Sequence, residues 1–254
     1  MFLGITSVIL GLLIGSFLNV CICRIPKGED ITTTRSHCLN CGNVIGWYDL
    51  VPVLSFLLLR GKCRNCGAKI SIQYPIIELL NGLLYGLIFV TLGLDIKSVL
   101  TMALTSALIV ITVIDWRTYE IPFGLNVFIA VLGTVIVAGK LINSDFTGAL
   151  DNIIGAFCVS GFLLLLYLVT KGQGIGGGDI KLMAAAGLFL GWKNIILAFV
   201  IGCILGSVIH LIRMRFSKQN HVLAFGPYLS AGIFISSLWG DRIISAYLNA
   251  VLLK

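Results

Sequence analysis

Apolar residues run almost unbroken through eight stretches: Phe2–Cys23, Tyr74–Leu92, Val99–Ile114, Phe123–Ala138, Ile153–Thr170, Leu182–Leu190 with its flanks, Ile195–Ile212 and Val222–Leu238. None alternates with the period of a half-buried strand, and the longest approach the roughly 20 residues that a perpendicular helix needs to cross a bilayer. Leu182–Leu190 is the weakest as a full span. A short helix packed inside a bundle is tolerated there if its ends are buried in protein or line a wet cavity. The apolar tail Ile243–Leu253 extends the last span or lies along the interface. One long polar stretch, Arg24–Gln73, interrupts the pattern. It is too polar to span and too short for a large core of its own, so it needs a staple. The pattern predicts an all-α, polytopic membrane bundle of about eight spans. Residues 1–23 are the first span, 24–73 a small folded module and 74–254 the main bundle.

Composition agrees. The chain is 58% hydrophobic and 11% charged, against roughly 25% charged in a soluble domain, and its mean hydropathy is +1.03. The net charge of +7 reports membrane topology and not a nucleic-acid partner. If the segment after the first span is cytoplasmic, 13 of the 18 Lys and Arg residues fall on that side and 5 on the other. The positive-inside rule selects this orientation, with both termini outside. Met1–Cys23 has no basic n-region and no small-residue cleavage site, and reads as a retained span.

Two acids stand out. Asp115 closes the run Val99–Ile114, and Asp179 lies in GIGGGDIK, Gly174–Lys181. A carboxylate at a membrane helix end is costly and functional by default. The orientation set by the basic residues brings both acids to the cytoplasmic side, as a paired-carboxylate site for peptide hydrolysis requires. Asp179 alone would serve equally as an N-cap for a helix starting at Ile180. Glu78, near the start of the second span, lines the site or pairs with an interfacial cation such as Lys69. Asp49 reads as a solvated loop acid or turn former.

Four of the eight cysteines, Cys21, Cys23, Cys158 and Cys203, lie in apolar runs and read as small buried hydrophobes. The others form two pairs, Cys38/Cys41 and Cys63/Cys66, each followed by glycine and separated by 21 residues. This spacing predicts a zinc ribbon with a closed, structural four-thiolate site. A redox CxxC pair is the rival reading. His37 reads as a solvated loop residue.

These motifs, in this order, resemble the type IV prepilin leader peptidases, membrane aspartic proteases of the GxGD class. The resemblance covers Gly15–Val20 with Arg24-Ile25-Pro26, the CxxC pairs around Trp47–Ser55, Tyr74–Leu80, Asp115 with Ile121-Pro122, Gly176–Asp179 with Lys181-Leu182, and Phe225-Gly226-Pro227. It implies that Asp115 and Asp179 are the catalytic dyad, that Gly176, Gly178, Lys181 and Glu78 support them, and that Cys38, Cys41, Cys63 and Cys66 hold zinc. The implied substrates are prepilin or pseudopilin-like proteins with a short basic leader, cut at the cytoplasmic face of the inner membrane. The implied second activity is N-methylation with S-adenosylmethionine, although no glycine-rich cofactor loop marks a seat for it. Many members carry Asp or Asn directly after Ile-Pro. Here Phe123-Gly124 follow, and the nearest amide is Asn126. Two other classes compete. A transporter would use the acids as ion sites near the midplane, and a scaffold would use the zinc module to dock a partner.

Overall fold

The computed structural model describes residues 2–172, 174–216 and 224–252. Among these the chain is helical: α1 (Phe2–Arg24), α2 (Leu54–Leu58), α3 (Gln73–Leu92), α4 (Ile96–Thr118), α5 (Phe123–Ile142), α6 (Phe146–Val169), α7 (Gly177–Leu190), α8 (Trp192–Phe216) and α9 (Gly226–Leu252). Local chemistry sets several ends. Pro75 sits in the first turn of α3, where its missing N–H costs nothing. Asp145 caps α6 by accepting a 2.9 Å bond from the Gly148 amide. Gly191, at φ 82, ends α7 in a conformation that L-residues resist.

Among the described residues six helices are long and apolar enough to cross a membrane: α1, α3, α4, α5, α6 and α8. The expectation of eight is therefore corrected. With 14 residues, α7 reaches only about 21 Å at 1.5 Å per residue, short of a bilayer core. In α9 the apolar run is broken by Asp241-Arg242. That helix continues to Leu252, so the tail extends it, whereas Val222, the expected start, lies outside the described residues. The exposed faces of α5, α6 and α8 carry Val131, Phe157, Leu165 and Val200, as lipid contact requires. Cys158 is exposed on α6, against the expectation that it is buried.

The chain divides into two compact units, Met1–Val110 and Ile111–Lys254. In the first, α1 packs along α3. A buried polar network ties them: the Asn81 amide donates to the Gly11 carbonyl at 2.7 Å, and its oxygen accepts from Ser106, which in turn meets the Tyr85 hydroxyl at 2.9 Å. Between membrane helices such bonds replace the hydrophobic drive that lipid removes.

In the second unit α7 packs against α5, α6, α8 and α9. Its C-terminal carbonyls, at Leu188 and Phe189, accept from the Asn152 amide on α6. A short helix can therefore end inside the protein without orphaned carbonyls. Gly187 and Gly155 touch backbone to backbone, leaving no room for a Cβ at either. Gly187→Ala should thus force α6 and α7 apart at a cost of about 1–3 kcal/mol, read as a lower unfolding temperature in detergent. An unchanged transition would show that the contact is slack.

Candidate active site

Asp115 occupies the last turn of α4 and is 5% exposed. One of its oxygens accepts a 2.9 Å bond from the amide of Gly226, the first residue of α9. The Phe225-Gly226-Pro227 stretch thus contributes a backbone donor, and Pro227 suits the helix start because it needs no partner for an N–H. Asp179 is the third residue of α7 and is 9% exposed. The helix N-cap is Gly176, and Asp179 stands at the third helical position, from which a capping-box side chain reaches back to the N-cap amide. The Gly176 amide bonds its carboxylate, and the Asp115 charge acts on it directly. Both acids belong to the second unit. The structure therefore brings together two buried carboxylates from helix ends 64 positions apart in sequence (179 − 115).

The glycines permit this approach. A Cβ on Gly226 would lie 2.8 Å from Asp115 Oδ2, and one on Gly176 would lie 3.1 Å from Asp179 Oδ2. Gly178 packs against Ile121, where a Cβ would be 3.0 Å from the side chain. Together with Gly133 against Leu188–Phe189, that contact shows α5 and α7 running in parallel. Lys181 is exposed and stacks over the Phe123 ring at 5.2 Å. Phe123, directly after Ile121-Pro122, thus gives the lysine an aromatic partner.

Asn126 is 4% exposed, and neither polar atom of its amide has a partner among the described residues. It lies on the buried stripe of α5 that includes Gly133, about one turn beyond the Ile121–Gly178 contact. Helical side chains lean toward the N-terminus, hence toward the acid-bearing end of α7. A buried amide left unsatisfied calls for a bound water or substrate group. Sequence reading noted Asn126 only as a substitute amide; its burial was the missing signal.

Glu78 belongs to the first unit. It is 6% exposed on α3 and accepts a 2.7 Å bond from the Val53 amide. Through this bond it ties the polar segment to α3, and among the described residues it makes no ion pair.

In that segment the four sulfurs of Cys38, Cys41, Cys63 and Cys66 lie within 4.8 Å of one another. Each pair sits in the same small turn. Cys38 N bonds Asn43 O and Gly42 N bonds Cys38 O; Cys63 N bonds Ala68 O and Gly67 N bonds Cys63 O. Gly42 and Gly67 take φ 72 and 70, which explains the glycine after each pair. Amides of Cys41 and Asn40 pull the Cys38 thiol down to about 6. At Cys41 an Asn43 amide bond lowers the value, but burial and the neighbouring sulfurs outweigh it and push the thiol up to about 11. Without a cation, the neighbouring sulfurs of Cys38 and Cys66 therefore oppose ionisation of Cys41. The donor set and the Cys38–Cys66 sulfur separation of 3.8 Å fit a tetrahedral metal with bonds near 2.3 Å. Asp49 ends the one-turn helix Trp47–Asp49 and is paired at the surface: Arg64, between the second pair of cysteines, grips it at 2.6 and 2.9 Å. The Arg64 bond holds the Asp49 carboxyl below its usual range.

Taken together, these features define a multi-pass helical membrane protein with a buried carboxylate pair and a four-cysteine module. A profile of the bacterial peptidase A24 N-terminal domain matches residues 9–92, and one of the type IV leader peptidase family matches residues 102–211. A prepilin leader peptidase/N-methyltransferase of Bacillus subtilis (strain 168) is 34% identical over 247 residues, 96% of this chain and 97% of that one. Proteins of the same name from Stutzerimonas stutzeri and Aeromonas hydrophila are 32% and 35% identical, covering 96% and 94% of this chain and 93% and 91% of their own lengths. No solved structure matches. The chain belongs to the type IV leader peptidase family.

Proposed function

We propose that the chain is an aspartic endopeptidase that removes the leader of prepilin-like proteins, with Asp115 and Asp179 as its catalytic pair. The observation that carries this reading is the approach of the two buried acids from separate helices of one unit. Two buried carboxylates within reach of each other's charge resist ionising together, so one keeps its proton. The ionised member takes a proton from water, and that water attacks the scissile carbonyl. The protonated member donates to the carbonyl oxygen and later helps the amine depart. Gly226 fixes Asp115 through its amide, and Asn126 supplies a hydrogen bond to water or peptide. The excess of Lys and Arg in and beside residues 24–73 supports a cytoplasmic side for that segment and for the pair, in an inner membrane as the type IV leader peptidase family implies. A basic leader stays on that side while the apolar helix of the substrate remains in the bilayer.

Cys38, Cys41, Cys63 and Cys66 would hold a structural zinc that fixes the two turns of the segment, leaving no open position for water. The relatives' names support N-methylation of the new amino terminus. S-adenosylmethionine is the donor such a transfer requires, and no step above runs through it.

The function is tested with a prepilin-like substrate in reconstituted membranes, by product mass with and without S-adenosylmethionine. Loss of the leader, and one added methyl only when the donor is present, is expected. An uncut substrate contradicts the assignment. Gly226→Ala is expected to displace Asp115 and slow cleavage by about 10²-fold, the effect of a misplacement near 1 Å. An unchanged rate would show that the Gly226 amide does not position the acid.

A further inference from the structure

Residues 47–58 present an apolar face that the fold leaves uncovered. Trp47 is 81% and Leu58 83% exposed, and Tyr48, Leu54 and Leu57 are also exposed. On α2, Leu54, Leu57 and Leu58 have the spacing of one helix face, while Ser55 is buried and donates to the Tyr48 carbonyl at 3.0 Å. In a soluble setting such a cluster of large apolar side chains marks an interaction surface.

Two further observations say what covers it. The first is depth. The Val53 amide bonds Glu78 at 2.7 Å, and Glu78 is the sixth residue of α3, a helix long and apolar enough to cross the membrane. Val53 thus reaches a level about 7 Å inside the first residue of α3, at 1.5 Å per residue. Its φ of 62, costly for a β-branched residue, is held by that bond. The turn beside α2 is therefore pinned to a spanning helix near its end, at the height of lipid headgroups.

The second is charge. Between Ile31 and Gln73 there are five basic residues, Arg35, Arg60, Lys62, Arg64 and Lys69, and one acid, Asp49. Arg64 neutralises that acid. Arg60, Lys62 and Lys69 are exposed and make no ion pair among the described residues. A tetrathiolate zinc site is net negative and offsets part of this charge, not all of it. Trp and Tyr beside Lys and Arg is the chemistry of a bilayer interface, and anionic headgroups match the unpaired cations.

We propose that residues 47–58 form an interfacial element seated in an anionic bilayer surface. Trp47, Tyr48, Leu54, Leu57 and Leu58 enter the headgroup–acyl boundary, and Arg60, Lys62 and Lys69 bind lipid phosphates. The element holds the four-cysteine module at a fixed height on the membrane. The inference rests on the membrane embedding and stands apart from the catalytic assignment.

The test uses the full chain in lipid nanodiscs with Trp47 as the single tryptophan (Trp116, Trp192 and Trp239 replaced by Phe). Its emission is read against lipids brominated high on the acyl chain and against aqueous iodide. Strong quenching by the brominated lipid, weak quenching by iodide and a blue shift that grows with phosphatidylglycerol are expected. Joint Arg60→Gln, Lys62→Gln and Lys69→Gln substitution should remove the dependence on phosphatidylglycerol. Quenching by iodide alone overturns the proposal. So does protection that appears only when a prepilin-like peptide is added, which would make the face a substrate dock. If the single-tryptophan protein does not reconstitute, amide exchange over residues 47–59 of the unsubstituted chain replaces it. Slower exchange in anionic than in zwitterionic bilayers supports the proposal, and equal exchange contradicts it.

Discussion

Asp115→Asn and Asp179→Asn are each expected to abolish cleavage while the protein stays folded and metal-loaded. Asn keeps the shape of Asp but can neither take a proton from water nor give one to a leaving amine. Each position contributes an acid–base function worth about 10²–10⁴-fold in rate. Because the two act on one water and one carbonyl, their losses do not add, and the double variant is no slower than either single one. Stability separates this from a folding defect. Two buried carboxylates in proximity strain the native state, so neutralising one leaves the unfolding temperature unchanged or raised. The measurements are cleavage rate, unfolding temperature and zinc content on the same preparations. A folded single variant that cuts at the normal rate removes the pair from the mechanism and returns the ion-transport and scaffold readings.

The second large effect concerns the metal. Stripping zinc, or replacing Cys63 by Ser, is expected to unfold residues 24–73. The segment has one five-residue helix, two one-turn helices and two isolated bridge pairs, too little regular structure for a core of its own. Structural zinc supplies about 10–16 kcal/mol in zinc-finger peptides, far above what one Asp49–Arg64 pair at the surface can replace. Metal analysis should give one zinc per chain before and none after. Amide exchange should accelerate across both cysteine turns, while α5–α9 stay protected. Unchanged exchange in the metal-free chain would contradict the role given to the cysteines.

Much of this was legible in the sequence because it depends on local rules. Asp115 and Asp179 are acids at the ends of apolar runs, and their burial follows from that placement. The CxxC-Gly repeat announces both metal turns, since only glycine follows such a turn at positive φ without strain. What was illegible depends on partners distant in the chain. Nothing near Asp115 indicates that its donor is the amide of Gly226. Asp49 looked solvated because its cation, Arg64, lies 15 residues away. Asp179 was expected at the N-cap, but the helix begins at Gly177, three residues before Ile180, which puts the acid inside the first turn. Span counting overshot because hydropathy cannot distinguish a short helix enclosed by protein, α7, from one that faces lipid.

The proposed chemistry turns on one water, activated between Asp115 and Asp179, that cuts the peptide bond without a covalent intermediate. Single-turnover cleavage of a prepilin-like substrate in ¹⁸O-labelled water tests this step. The label is predicted in the new carboxyl group of the released leader and in neither aspartate of the enzyme. Label in an Asp115 or Asp179 side chain would mean that a carboxylate attacked the substrate, and the paired general acid–base mechanism would be wrong.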